Sequence, residues 1–424
     1  MSDIRYNGWL HTTGTGGVYQ DSAGNVGIAS TQPQTSLDIG NGVFQVGPAG
    51  IVTTTQDITA RTFIPSQGQT SHKNLVINGD MRIAQRGTSF TANGYCLDRY
   101  YRTYSSGTAA VTQEALTSGA PFDAGFRYTM RHTQPGSAMA DAAGAYVNPQ
   151  MHLEAQDIAT SGWNYKDPNS YLTLSYWAKS SVAQTFYNYM LTSDGTAQGF
   201  SWSLGALSAN TWKKVEVQVP GNSNITIDNN NGNGMTLYFN LYLGTDRTDA
   251  GNTLNAWANW NGSSRTPVQT NTWFTTAGAT FDITGVQLEV GQAATPFEHR
   301  SHSDELARCQ RYFFNIKGDQ YDAAGILGYA LDSEEIRVKV EFPVPMRQMP
   351  TYTGNAKDCK FKANNTSSNM HWSNLSILNS QTTPNPKSTM MKFDKGSSLS
   401  VTAGECGDME FHEDGGELQF SAEF

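Results

Sequence analysis

Charge and cysteine are both scarce in this 424-residue chain, and long apolar runs are missing altogether. Asp, Glu, Lys and Arg make up only 15% of it, and the acidic residues outnumber the basic ones to leave a formal net charge of −9. Such a chain is short of the lysines and arginines that neutralise phosphates, so nucleic acid is not expected as a partner. Four cysteines (Cys96, Cys309, Cys359 and Cys406) lie far apart and form no CxxC pair. That spacing spells neither a disulfide framework nor a zinc site, and the four read as small apolar filler. Nothing approaches the ~20 apolar residues of a membrane helix, so membrane insertion is not expected. The opening MSDIRYNGWLHTTG has no apolar core of the kind a secretory signal needs, which points to synthesis in a cytoplasm without general export. HExxH, GxSxG and phosphate-loop motifs are lacking, and no oxygen-rich loop has calcium-binding spacing, so no cofactor or metal is assigned.

What fills the space is Gly, Ser, Thr, Asn and Gln, the composition of β-rich, turn-rich proteins. Residues 1–70 offer only short apolar pairs spaced by two: Val26 and Ile28, Leu37 and Ile39, Phe44 and Val46. Each pair marks one face of a short strand, and the Gly, Asn or Pro that follows forces a turn. A segment this polar cannot bury a core alone and needs partner chains to complete one. The alternative is a disordered arm. Residues 64–73 then serve as a hinge.

From residue 74 the alternation is cleaner. Met235, Leu237, Phe239, Leu241 and Leu243 share one face, as do Leu172, Leu174 and Tyr176, and Val215, Val217 and Val219. Half-buried alternation of this kind belongs to antiparallel sheets with one face on a core, so residues 74–300 are expected to form a large jelly-roll or β-sandwich domain. Near its end Phe281 and Ile283 run in one phase and Val286, Leu288 and Val290 in the other, with Thr284 and Gly285 at the switch. A β-bulge there restores the apolar face. Gln287 and Glu289 are expected on the opposite face, solvated or with Glu289 paired to Arg82 or Arg86. The run SHSDELARCQRYFF then carries an N-cap at Ser301 or Ser303, acidic residues in its first turn and Leu306, Cys309 and Phe313 on one side. It predicts a connector helix within 301–319. Residues 320–424 resume the strand pattern, with Ile336, Val338, Val340 and Phe342 inward, and are long enough for a smaller C-terminal β-sandwich. The fold class expected is therefore mainly β.

The blocks NLVINGDMRIAQRGTSF, LDRYY, LTLSYWAKSS, TWKKVEVQVP, ITGVQLEVGQAATPFEHRSHSDELARCQRYF and VEFPVPMRQMPTYT, in that order, resemble a family of bacteriophage tail fibre and tail appendage proteins with jelly-roll modules. The start, YNGWLHTTGTGGVYQDSAGNVGIASTQPQTSLDI, is similar to the fibre-type openings of cyanophage and other marine phage virion proteins. The resemblance implies a homotrimer on the virion. Its N-terminal segment attaches to other virion proteins of the tail, neck or capsid, and its outer modules adhere to host surface polysaccharide. Trimerisation multiplies weak contacts, by roughly 10²–10⁴ in avidity.

A glycan site needs an aromatic face beside amides and charged groups. GNTLNAWANWNGSSRTPVQTNTWF gathers Trp257, Trp260 and Trp273 with Asn255, Asn259, Asn261 and Arg265, and Trp257, Asn259, Trp260 and Arg265 are the carbohydrate-binding candidates. The competing reading has these tryptophans plug the end of the sandwich. A second polar loop carries His371, Trp372 and Asn374, with Trp372 as its candidate. A depolymerase requires two carboxylates across a cleft; Glu154, Asp157, Asp246 and Asp249 are available, but no solenoid repeat accompanies them. The expectation is a non-enzymatic virion adhesin. A head decoration or collar fibre is the alternative.

Overall fold

Turn residues set the length of the first strands. The computed structural model describes residues 8–10, 17–28, 37–39, 44–46, 52–54, 72–105, 110–354, 358–363, 366–371, 375–377, 386–394 and 401–424. The chain divides into two compact units, Met1–Ser66 and Gln67–Phe424. In the first, the apolar pairs become the strands Val26–Ile28, Leu37–Ile39 and Phe44–Val46. With Gly8–Leu10, Gly17–Gln20 and Val52–Thr54 they make a six-stranded sheet in sequence order. Register places Trp9 opposite Val18, Val18 opposite Ile28, Ile28 opposite Ile39 and Ile39 opposite Phe44, an apolar row across five strands. Val18 and Ile28 remain 45% and 40% exposed. Residues 64–71, most of the expected hinge, lie outside the described residues.

The second unit holds two β-sandwiches, each with its own core. In the larger, one sheet runs Lys213–Pro220, Tyr171–Ser180, Thr280–Val290, Tyr128–Thr133, Ala110–Ala115, Ser89–Phe90. The facing sheet runs Trp257–Asn259, Gln198–Leu207, Gln184–Thr192, Asn233–Tyr238, Gln150–Glu154, Tyr100–Arg102, Gly94–Tyr95. Inward residues such as Leu174, Met190, Phe200, Leu237, Ile283 and Leu288 form one continuous core. The pairings in both sheets are antiparallel.

The bulge falls where the phase switch places it. Ser175 pairs with Gln287 and Trp177 with Thr284, so Tyr176 faces both Gly285 and Val286. Gly285 has φ +66°, and a Cβ there would lie 2.6 Å from the Phe126 ring, so only glycine fits.

The opposite face of this strand corrects the sequence reading. Gln287 and Glu289 are buried, and Glu289 meets neither Arg82 nor Arg86. Residues 291–300 fold back over them: Thr295 donates its N–H (2.8 Å) and hydroxyl (2.6 Å) to Glu289, and Glu298 N–H donates to Gln287 Oε1 (2.8 Å). Lys73 approaches Glu289 at 3.9 Å. Thr173, Ser175 and Thr236, also on faces expected to be wet, are buried as well.

The helix His302–Gln310 is capped by the Ser301 hydroxyl, which accepts the Asp304 N–H at 3.1 Å. It buries Glu305 and Cys309, whereas Leu306 is only half-buried. It is shorter than the expected connector. Phe313–Gly318 is already a strand, paired with Gly416–Ser421, which also pairs with Thr351–Gly354. Opposite lies a seven-stranded sheet containing Glu335–Glu341 at the side of Ala323–Ala330 and Ser388–Asp394. Ile336, Val338, Val340, Met409, Leu418 and Phe420 belong to its separate core. Of the cysteines, Cys96 and Cys309 are buried fillers, but Cys406 is exposed, because it sits at the start of a strand just past a turn. The side chain of Cys359 lies outside the described residues. Burial pushes the Cys96 thiol up to about 12, which keeps it an unreactive thiol.

Candidate functional site

Glycine decides where the site opens. The strand Gln198–Leu207 has no side chain at Gly199, and Trp260 fills that space: a Cβ on Gly199 would stand 3.0 Å from Trp260 Cε3. Backbone bonds fix the crossing segment, with Trp260 N–H donating to Ala197 O (2.9 Å) and Asn255 N–H to Ser201 O (2.7 Å). The short edge strand Trp257–Asn259 pairs with Gln198–Phe200.

These contacts leave a hollow of about 360 Å³ lined by Trp257, Asn259, Trp260, Asn261, Asn252 and Arg265, among others. Four of the five carbohydrate candidates thus come together. Trp257 is half-buried, its ring 5.3 Å from Phe200 and its indole N–H donating to Pro220 O (2.6 Å). Trp260 is also half-buried and lies 5.0 Å from Tyr189, which in turn stacks on Tyr238 at 4.3 Å and 19°. Aromatic pairs at such separations hold the rings without mobile side-chain freedom. Asn259 Oδ1 accepts from Gln198 (2.9 Å), and Asn252 bridges the Ser201 hydroxyl (2.8 Å) to Ser264 O (2.9 Å). Arg265 Nε donates to Gly262 O (2.9 Å) and Nη1 to the Tyr189 hydroxyl (3.4 Å). Burial raises the Tyr189 and Tyr238 hydroxyls above their ordinary pKa, so both stay protonated donors at neutral pH. An aromatic wall, amides, hydroxyls and one guanidinium suit a polyhydroxylated ligand better than a purely apolar one.

Trp273 behaves otherwise. It is fully buried, its backbone N–H donating to Gln184 (2.9 Å) and its indole to Thr280 O (3.0 Å), so for this residue the plug reading holds. Trp372 and Asn374 lie outside the described residues. Among the carboxylates, Glu154 is gripped by Arg311 through two bonds of 2.8 and 2.9 Å, which hold its pKa below the usual range against the cost of burial. Asp157 lines another hollow, of about 200 Å³, together with His72, Lys73, Asn74 and Arg308 and without Trp, Tyr or Phe among its described lining residues. Its pKa is raised, first by burial and then by Glu154. Asp246 lies in the 3₁₀ turn Thr245–Arg247, and Asp249 accepts the Gly251 N–H at 2.8 Å. Sequence reasoning missed Gly199, Ser201, Tyr189 and Tyr238, which lie on strands 20 to 70 residues before the loop. The one local signal was a glycine inside the strong strand GFSWS, where a side chain would otherwise be expected.

No protein-family model and no curated protein sequence matches this chain. Among solved structures it is similar to the enzymatically active domain of bacteriophage CBA120 tailspike protein 4, at 14% identity over 51% of this chain and 21% of that one, with a TM-score of 0.28. It is also similar to the CBM22-1 xylan-binding domain from Paenibacillus barcinonensis Xyn10C, at 13% identity over 49% of this chain and 94% of that one, TM-score 0.24. A third is the family 11 carbohydrate-binding module from Clostridium thermocellum in complex with a β-1,3-1,4-mixed-linked tetrasaccharide, at 14% identity over 50% and 98%, TM-score 0.21. Likeness of this size carries no information about activity. The fold and the hollow define the class: a mainly β protein of paired antiparallel sandwiches with an aromatic, amide-lined trough on the larger one.

Proposed function

We propose that this chain is a phage virion structural protein, a homotrimeric tail fibre that adheres to host cell-surface glycans through its sandwich modules and carries out no catalysis. The observation that supports it most is the hollow where half-buried Trp257 and Trp260 meet Asn259, Asn261 and Arg265 at the edge of a sheet. Stacked sugar rings cover aromatic surface while amides and guanidinium take hydroxyl oxygens. The ordered run of sequence blocks resembling phage tail fibre proteins supports the virion setting. For the trimer, the support is the first unit: Val18 and Ile28 pair directly across two strands and are both exposed, a place where a second and third copy gain by burying apolar surface.

A glycan array probed with the purified full-length protein tests the adhesive reading. Binding of host surface polysaccharide that Trp260→Ala weakens at least tenfold is expected; no binding at high multivalent density sinks it. Sedimentation equilibrium tests the trimer separately, and a stable monomer with residues 1–66 folded overturns that part.

A further inference from the structure

Building on the glycan reading, we propose that the ligand of the Trp257–Arg265 hollow is an acidic polysaccharide, whose carboxylate or sulfate pairs with Arg265. The argument begins with charge. Among the described residues, Arg265 is the one charged side chain lining the hollow; the other lining side chains are indole, amide, hydroxyl, methyl or glycine hydrogen. Several arginines elsewhere meet carboxylates, Arg131 with Asp282 at 2.7 Å, Arg300 with Glu305 at 3.2 Å and Arg311 with Glu154 at 2.8 Å, whereas Arg127 and Arg247 lie over Phe122 and Tyr146 and Arg347 donates to backbone carbonyls. Arg265 has no such partner among the described residues, and Asp249 in the same loop is turned to its own backbone. A guanidinium offers five N–H donors in a planar fork that matches a carboxylate or sulfate edge. Two of the five are used, one on Gly262 O and one, at 3.4 Å, on the Tyr189 hydroxyl. The remaining three have no partner among the described residues.

The fork is also fixed in position. Its Cζ lies 5.4 Å from the Trp260 ring centroid, and the Gly262 carbonyl clamps Nε at 2.9 Å, so little side-chain entropy is lost when an anion docks. In a protein of net charge −9 the general field repels anions. An anionic sugar is therefore admitted only where a local cation overrides that field, which makes the hollow selective rather than merely sticky. Another hollow, of about 570 Å³, is lined by Asn255, Gln218 and Glu216, the last paired with Lys214 at 2.7 Å, and no basic residue is in its described lining, so it offers an acidic group no unpaired cation.

Polygalacturonic acid and its fully methyl-esterified form share one backbone and differ only in charge, so titration of both into the full-length protein at low salt is the test. The acid is expected to bind at least tenfold tighter, with the ratio shrinking as salt rises toward 1 M. Arg265→Gln is expected to collapse that ratio toward one, Arg265→Lys to keep part of it, and Trp260→Ala to weaken both polymers. Equal binding of acid and ester, or a ratio untouched by Arg265→Gln while Trp260→Ala still weakens both, overturns the acidic inference and leaves the glycan reading standing. Failure of both polymers and of the wider array to bind overturns the two together. Circular dichroism of each variant distinguishes lost contacts from lost folding.

Discussion

Two regions of the molecule set arginine against aromatic rings, with opposite consequences. Between the two sandwiches Arg99 is completely enclosed, its Cζ 3.4 Å from the Tyr312 ring centroid, and it is ion-paired to Glu423. Beside it Arg347 lies 4.2 Å from the Phe424 ring and donates to the carbonyls of Ala422 (2.7 Å), Asn231 (2.8 Å) and Glu423 (2.5 Å). In the Trp260 hollow, Arg265 rests against an aromatic ring with no carboxylate partner among the described residues. The difference is one of solvent. A guanidinium removed from water must have its donors taken, by a carboxylate as at Arg99 or by backbone carbonyls as at Arg347, whereas one left at the surface is solvated and stays available to a ligand. The buried clasp holds structure together; the open one is built to be completed from outside.

The comparison breaks most sharply at Glu423. Replacing it with Ala strands Arg99 as an uncompensated buried charge, and a loss of about 3–5 kcal/mol in urea unfolding of the full chain is expected. A loss below about 1 kcal/mol makes the clasp ornamental. Next comes His152, which packs 5.6 Å from Phe424 and bonds Thr236 at 3.0 Å. Burial, then Arg99 and Arg347, push its pKa down to about 4 from 6.5. The folded imidazole is neutral where the unfolded one takes a proton, so its contribution is present above pH 6.5 and is lost as pH falls toward 4. Relative to wild type, His152→Gln is expected to remove a fall in stability on the order of 2–3 kcal/mol across that window, read from unfolding curves at a series of pH values.

At the hollow the effects on stability shrink while those on binding persist. Gly199→Ala brings a Cβ to 3.0 Å from Trp260, and a cost of about 1 kcal/mol with a severalfold loss of glycan affinity is expected, because the ring must shift. An unchanged affinity shows that Trp260 does not need its present seat. Smallest is Arg265→Gln, whose effect on unfolding is expected to stay within about 0.5 kcal/mol. A larger loss means that Arg265 is structural like Arg99, and the contrast between the two regions disappears.

The sequence by itself determined what depends on near neighbours. Period-two alternation put Val215, Val217 and Val219 inward, the phase switch located the bulge at Thr284 and Gly285, and the serines at 301 and 303 announced the helix start, of which Ser301 is the cap, since each rests on a few consecutive residues and their dihedrals. Even the candidate loop was visible, because tryptophan, asparagine and arginine crowd into the nine positions from 257 to 265. Only the tertiary structure separated half-buried Trp260 from buried Trp273, although one stretch of fourteen residues carries both. It also sealed Glu289 under residues 291–300 and joined Phe313–Gly318 to a strand a hundred residues later. Trp273 and Phe313–Gly318 are placed by segments that arrive from far along the chain, and Glu289 by a fold-back of the residues just after it, and no period-two pattern encodes either arrival.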